Sequence, residues 1–227
     1  MAEPTPADLE RFIADGLACE HVEVTGDGDH SLLYRARDRA GNVETDKAAT
    51  IRIDATLPTL MVAGVAQGRV YGDATDLVLT WHAEDATSGL RTVAATLDGE
   101  TVLNGRPTAL YQLPLGQHAF TVSATDVAGN VQSQTVSFTT TTSLRDVSQL
   151  LDRFRATNRL TLSQYRQLDS LMTKIRRAEA NGNDTRTVRL LGTFVLLVTD
   201  GTFIGDADIR TVLERDAQAV IDSIEGR

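Results

Sequence analysis

Hydrophobic and polar residues alternate along much of the β-rich first part of the chain, and a period of two is typical of half-buried strands. Phe120, Val122 and Ala124 fall on one face of one such strand, and the run 77–81 alternates in the same way. We expect Trp81, the only tryptophan, to be buried in the core. With turn signals between the runs, the pattern predicts an all-β, immunoglobulin-like sandwich of about seven strands.

From Ser143 onward the spacing of apolar residues becomes helical. Ser143 is typical of an N-cap, and Asp206 is the expected cap of a last helix. Short loops between four amphipathic segments predict an all-α, antiparallel four-helix bundle of about 80 residues. The apolar positions that define the segments are Val147, Leu150 and Phe154; Leu168, Met172 and Ile175; Leu191, Phe194 and Val198; and Ile209, Leu213 and Ile221.

One motif occurs twice in the β-rich part. Residues 28–43 and 116–131 share eight identical positions. Their offset of about 88 residues is the size of one immunoglobulin-like sandwich. Each copy predicts a β-hairpin with a turn of the form Asp-x-Ala-Gly-Asn. The identical pairs are Gly28/Gly116, His30/His118, Ala36/Ala124, Asp38/Asp126, Ala40/Ala128, Gly41/Gly129, Asn42/Asn130 and Val43/Val131.

The residues of this repeated turn have a structural interpretation. Glycine adopts the positive φ of a tight turn, and Asp and Asn side chains bond to nearby backbone amides. The sequence predicts this turn-forming role for Asp38, Gly41, Asn42, Asp126, Gly129 and Asn130.

Calcium ligation is the alternative interpretation of some carboxylates. Asp54, Glu84, Asp85 and Asp126 offer hard oxygen donors that would meet near one end of a sandwich. The chain has no ligand-dense Asp-x-Asp-x-Asp loop. The sequence therefore favours the structural interpretation and predicts no metal and no cofactor, with calcium kept as the alternative.

The first copy of the repeat is incomplete. Only 27 residues precede Gly28, whereas the second copy follows about 60 residues that hold other strands. We predict three regions: residues 1–55 as an incomplete module with a short helix over 6–16, residues 56–142 as a complete sandwich, and residues 143–227 as the helical bundle. We expect the chain to be part of a longer exported protein.

Composition argues against several classes of function. The chain has 22 Lys and Arg against 31 Asp and Glu, a net charge of −9, whereas nucleic-acid binding needs clustered basic residues. No apolar run reaches the length of a membrane span. The single cysteine, Cys19, excludes an internal disulfide. The four histidines form no nucleophile–base or metal-binding motif, so we predict that the chain is not an enzyme.

Several segments of the β-rich part carry a family resemblance. The linker 54–59 (Asp-Ala-Thr-Leu-Pro-Thr), the turn 85–89 (Asp-Ala-Thr-Ser-Gly) and residues 124–130 (Ala-Thr-Asp-Val-Ala-Gly-Asn) resemble bacterial immunoglobulin-like modules. Residues 34–44 followed by 51–54 are similar to the end of a related module, the OmpL47-type β-repeat. The resemblance implies a sandwich fold and a role as a spacer or binder in a secreted or cell-surface protein.

The helical part resembles a second family. Leu150-Leu-Asp-Arg-Phe154, the run 190–198 and the run 217–222 follow one another in the order typical of the FIMAH helical domain, across roughly 143–225. Such domains end many secreted bacterial proteins. The resemblance rests on core positions and implies no catalytic residue.

These observations predict a non-catalytic spacer or interaction region of an extracellular or cell-surface bacterial protein. Its expected partners are other modules of the same parent chain and a surface protein or glycan. The alternative is a carbohydrate- or cell-wall-binding accessory module of a secreted carbohydrate-active enzyme. An exposed aromatic platform distinguishes the two, because sugars stack on Trp and Tyr faces.

Overall fold

The computed structural model describes residues 27–35, 40–43 and 45–226. The predicted helix over 6–16, Cys19 and Asp38 lie outside the described residues. Within these residues a β-sandwich-like region precedes four α-helices, which confirms the predicted order of a β-rich part and a helical part.

The described strands are β1 (Gly28–Tyr34), β2 (Lys47–Ile53), β3 (Thr59–Ala63), β4 (Val70–Gly72), β5 (Asp76–Val78), β6 (Thr80–Glu84), β7 (Leu90–Leu97), β8 (Glu100–Thr101), β9 (Pro107–Ala109), β10 (Gly116–Asp126) and β11 (Val131–Thr141). A 3₁₀ helix spans Leu110–Gln112. The helices are α1 (Leu144–Ala156), α2 (Leu162–Ala180), α3 (Asp184–Thr199) and α4 (Ala207–Glu225).

The largest sheet among the described strands has the order β4-β11-β10-β7-β8, in which β11 and β4 run parallel. Two-stranded antiparallel sheets pair β1 with β2, β3 with β6 and β5 with β9. The register places Phe120 of β10 opposite Leu97 of β7. Asp98 and Gly99 join β7 to β8 in a hairpin, with φ values of 52° and 87°.

The run 77–81 is not one strand, contrary to the prediction. The strand is interrupted at Leu79. Before the break β5 pairs with β9, whereas after it β6 pairs with β3. Leu77 and Leu79 are both buried, so the alternation continues across the break. Alternation reports which face is buried and carries no signal of a change in pairing partner.

The chain divides into two compact units. In the first unit, Phe120, Val122 and Ala124 are fully buried on the face that the sequence predicted. Ala95 and Leu97 of β7 are buried as well. The first unit holds the described residues up to 63 with 80–105 and 120–135; the second holds 64–79, 106–119 and 136–226.

Trp81 was expected to be buried, and the structure shows it half-buried. Its ring packs against Phe120, with centroids 5.9 Å apart. Asn104 holds its backbone, since Asn104 Oδ1 accepts from the Trp81 N–H at 3.2 Å and Nδ2 donates to the Trp81 carbonyl at 2.8 Å. Because β6 belongs to a two-stranded sheet, part of this large side chain stays in solvent.

In the second unit each helix begins at the capping residue that its sequence supplies. The N-caps are Ser143, Thr161, Asn183 and Asp206, and each side chain accepts a hydrogen bond from a first-turn N–H. Helix α1 contacts α2 and α4, and α3 contacts α2 and α4. None of the described helices is long and apolar enough to cross a membrane.

Candidate functional site

Three of the four carboxylates considered for calcium meet in the first unit. One carboxylate oxygen from each of Asp54, Asp85 and Asp126 lies within 4.8 Å of the other two. Glu84, the fourth, is exposed, and its Oε1 lies 2.7 Å from His82 Nε2. Consecutive side chains in extended backbone point to opposite sides, so the Glu84 side chain points away from the Asp85 side chain. We call Asp54, Asp85 and Asp126 the three-aspartate clamp.

Each clamp residue sits where a strand ends. Asp54 follows β2, Asp85 follows β6, and Asp126 is the last residue of β10. The turn after β10 closes because the Asp126 N–H donates to the Asn130 carbonyl at 3.1 Å. Gly129 has φ of 104° in this turn, a value that residues with a Cβ rarely adopt.

Asp126 is fully buried and accepts three hydrogen bonds. Its Oδ1 accepts from the N–H of Gly129 at 2.6 Å and of Asn130 at 2.8 Å, and its Oδ2 accepts from Asn130 Nδ2 at 2.8 Å. These contacts are the pattern of an Asx turn, in which a side chain takes up backbone N–H groups that no strand partner reaches.

The other two carboxylates share a donor. The Ser88 N–H donates to Asp54 Oδ2 at 3.1 Å and to Asp85 Oδ1 at 2.9 Å. Asp85 Oδ1 also accepts from the Gly89 N–H at 2.8 Å, and Asp54 Oδ1 accepts from the Thr56 N–H at 2.9 Å. The clamp therefore joins three chain segments mainly through backbone donors.

Asn130 closes the arrangement. Its Nδ2 donates to the backbone carbonyl of Asp54 at 3.0 Å as well as to Asp126. A residue of the repeated turn thus bonds directly to the residue that follows β2. The corresponding residues of the first copy, Gly41 (φ 94°) and Asn42, are exposed, and Asp38 lies outside the described residues.

The clamp concentrates negative charge. Asp54 is 4% exposed and Asp126 0% exposed, and no described Lys, Arg or His forms an ion pair with any of the three. Among the described residues, Oδ2 of Asp85 has no hydrogen-bond donor. Three converging carboxylates are the type of oxygen ligand that calcium takes, although calcium needs about six to eight oxygens in total.

Sequence reasoning missed a second acidic cluster, in the second unit. Asp73, in the loop between β4 and β5, and Asp216, in α4, are both fully buried. Arg215 donates to both: its Nη2 to Asp73 Oδ2 at 2.7 Å and its Nε to Asp216 Oδ1 at 2.8 Å. The available signal was a carboxylate on an apolar helical face, since Asp216 stands three residues after Leu213 and one before Ala217.

Burial changes the titration of this second cluster. Loss of water raises the pKa of Asp216 to about 8, and the nearby Asp73 charge adds to the rise while Arg215 opposes it. Burial also raises the pKa of Asp73, against the lowering effects of Asp216 and Arg215. Neither carboxylate lies near a histidine, serine or cysteine arranged as a nucleophile and base among the described residues.

Tyr111, Tyr71 and Trp81, the described Trp and Tyr rings of residues 56–142 on which a sugar would stack, are engaged within the protein. Arg153 lies 4.9 Å from the Tyr111 ring centroid, and Phe154 meets the same ring edge-on at 5.4 Å. Arg69 lies 5.7 Å from the Tyr71 centroid. Together with the half-buried Trp81, these rings offer no fully exposed aromatic face among the described residues.

Comparison with known proteins identifies the helical segment. The FIMAH domain family matches residues 144–222, which contain α1–α3 and most of α4. A β-sandwich-like region thus precedes a segment that matches the FIMAH domain family. No curated protein matches the chain.

Two solved structures are similar to about half of the chain. Fibronectin(III)-like modules of Clostridium thermocellum CbhA show 16% identity and a TM-score of 0.32, over 52% of this chain and 65% of that one. A Ca²⁺-stabilized adhesin with which an Antarctic bacterium binds ice shows 22% identity and a TM-score of 0.26, over 51% and 32%. The chain therefore spans less than two thirds of either structure, and likenesses this distant carry no argument about ligands.

Proposed function

We propose that this chain is a non-catalytic spacer and interaction region of a secreted or cell-surface bacterial protein. The observation that carries the proposal is the three-aspartate clamp, which ties the end of β2 to two turns of the following sandwich. A bonded joint of this kind holds consecutive β-modules in a fixed orientation, which is what a spacer requires.

The linker after β2 is bonded on a second side. Asp27, just before β1, accepts from the Thr56 hydroxyl at 2.6 Å and from the Ala55 N–H. These two hydrogen bonds lower the pKa of Asp27, and the bond from the Thr56 hydroxyl has the larger effect. Residues 54–56 are thereby held by the preceding hairpin as well as by the sandwich, and a short linker bonded at both sides has little freedom to bend.

Under this proposal residues 1–55 form an incomplete OmpL47-type module, residues 56–142 a complete sandwich and residues 143–227 an antiparallel bundle. The short loops of α1–α4 and their cyclic pattern of contacts support the bundle. Under the same proposal, the partners of the whole chain are other modules of the parent chain and a surface protein.

Pulsed electron spin resonance tests the rigid joint. In a Cys19→Ser background, spin labels at Thr50→Cys in β2 and Thr92→Cys in β7 report the distance between hairpin and sandwich; both positions are exposed. We expect one narrow distance distribution, which Asn130→Ala broadens. The matched control Asn104→Ala, which removes an asparagine whose side chain bonds to the Trp81 backbone, keeps the distribution narrow. A broad distribution in the parent protein contradicts the proposal.

The accessory-module alternative makes a different prediction. In pull-downs we expect the purified chain to stay in the supernatant, because its described aromatic rings are engaged. The insoluble polymers to test are cellulose, chitin and peptidoglycan. Retention that Trp81→Ala removes without loss of fold establishes the alternative. Turnover of a glycan, peptide or ester substrate, lost on one Asp, Glu or His substitution in a folded variant, overturns the non-catalytic proposal.

A second candidate function is favoured by the charge of the clamp. Three carboxylates without a described cationic partner supply part of a calcium site, with Asp85 Oδ2 as its unbonded oxygen. The clamp would then be a calcium-strengthened joint. Calcium that raises the melting temperature of the parent protein but not of Asp85→Asn supports this function. If neither calcium nor chelator changes the melting temperature, the calcium-binding function is contradicted and the clamp is held by its hydrogen bonds alone.

A further inference from the structure

Arg215 connects three parts of the second unit. From α4, its Nη2 lies 2.7 Å from both Asp73 Oδ2 and Asp216 Oδ1, so the two carboxylates are immediate neighbours. Its Nη1 donates to the carbonyls of Leu113 at 2.6 Å and Tyr111 at 3.3 Å. The loop after β4 and the turn around the 3₁₀ helix are thus fastened to α4 at one side chain.

The charges of this junction do not balance when both carboxylates are ionised. One guanidinium faces two carboxylates that are each 0% exposed. A buried charge without a partner is strongly unfavourable, and two neighbouring carboxylates relieve the repulsion by keeping one proton between them. Neutralising one carboxyl group leaves a single anion for the single cation.

The hydrogen bonds of the pair also favour a bound proton. Asp73 Oδ1 and Asp216 Oδ2, the oxygens that do not face Arg215, are buried and have no hydrogen-bond partner among the described residues. A proton on one of the two carboxyl groups gives the pair a donor, which it lacks when both groups are ionised. The Thr142 hydroxyl, also buried, lies beside Asp73 and supplies at most one donor. It cannot satisfy both oxygens.

The groups around the pair act on its protonation in both directions. Asp146, in the first turn of α1, adds a negative charge that raises the pKa of Asp73. Arg215 and the Thr142 hydroxyl act in the opposite direction. These are the charged and hydroxyl groups that face the pair from α1, α4 and the end of β11.

We propose that Asp73 and Asp216 share one proton, and that this proton closes a latch between α4 and the loop after β4 which alkaline pH opens. We call the pair the Asp73–Asp216 latch. Loss of the proton places a second negative charge in a buried site with one cation. The contacts that Arg215 organises then weaken together, and α4 loosens from the loop and the 3₁₀ turn.

The sign of the pH effect follows from linkage. An unfolded aspartate has a pKa near 3.9, whereas burial raises the pKa of Asp216 to about 8 in the folded chain. Between these values the folded chain holds one proton more, so stability falls as pH rises. The stability that this extra proton contributes is fully present below about pH 4 and is lost as pH rises through about 8.

Carboxyl ¹³C NMR of the full chain with labelled aspartate observes the proton directly. We expect one aspartate resonance to titrate near pH 8, to disappear in Asp216→Asn, and to move to lower pH in Asp73→Asn because the neighbouring charge is gone. If all aspartate resonances titrate below pH 5.5, the proposal is overturned.

Urea unfolding followed by helical circular dichroism gives the second readout, at pH 5.5, 6.5 and 7.5. Relative to Asp216→Asn, the unfolding constant of the parent chain is expected to increase about tenfold per pH unit, the effect of one proton. The matched control Asp222→Asn, an exposed aspartate of the same helix, keeps the parent's pH dependence. Equal pH dependence in the parent and Asp216→Asn overturns the proposal.

Discussion

The three-aspartate clamp, with two buried aspartates and one half-buried one, and the Asp73–Asp216 latch, with two buried ones, hold their negative charge in different ways. In the clamp, backbone N–H groups and Asn130 Nδ2 donate to the carboxylates. In the latch, one arginine and, as we propose, one proton do so. Backbone donors do not titrate, so the first arrangement should tolerate alkaline pH and the second should not.

Removing the most bonded carboxylate of the clamp should have the largest effect. Asp126→Ala leaves the N–H groups of Gly129 and Asn130 without their acceptor in a buried turn. We expect a loss of about 3 kcal/mol in the free energy of unfolding, measured with urea. Asp29→Ala, which breaks an exposed ion pair with Arg52, should cost under about 1 kcal/mol. Equal losses in the two variants contradict the role of the turn.

Replacing the cation of the latch should come next. Arg215→Gln leaves Asp73 and Asp216 facing each other without a positive charge. We expect a loss of about 2 kcal/mol at pH 8 and a smaller loss at pH 5.5, because further protonation of the carboxyl groups relieves their repulsion at low pH. The exposed Arg189→Gln of α3 is the matched control and should be neutral at both pH values. A loss that does not depend on pH contradicts a titrating partner.

The sequence anticipated the clamp better than the latch, for a physical reason. Turn residues such as Asp85 and Asp126 lie in a motif whose chemistry is local, so Gly and Asn nearby reveal it. The contact of Asp54 with these turns depends on the topology of the sandwich, which the repeated motif indicated in the sequence. Asp73 and Asp216 are far apart in sequence, and alternation or helical period says nothing about which loop reaches which helix.

The helices and the strands show the same limit. Caps at Ser143 and Asp206 and the apolar spacing located α1 and α4, because these signals lie within one turn of the helix they start. The break at Leu79 and the half-exposure of Trp81 depend on strand partners far along the chain. Local chemistry therefore predicted elements, whereas pairing and the second acidic cluster required the structure.

Calcium should act on the clamp and not on the latch, and its effect should be the smallest of the three. If the clamp binds calcium, millimolar Ca²⁺ should raise the melting temperature by a few degrees in the parent and in Asp216→Asn, but not in Asp85→Asn. Differential scanning calorimetry with and without chelator measures this. A rise that survives in Asp85→Asn places the calcium elsewhere.

Hydrogen exchange of the intact chain at pH 6.0 and 8.5 tests most directly the claim that the two acidic groups are stabilised differently. After correction for base-catalysed intrinsic exchange, peptides covering 70–76 and 207–225 should lose protection at the higher pH. Peptides covering 85–89 and 126–131 should keep theirs, and Asp216→Asn should remove the difference between the pH values. Loss of protection in both sets of peptides, or in neither, would contradict the account.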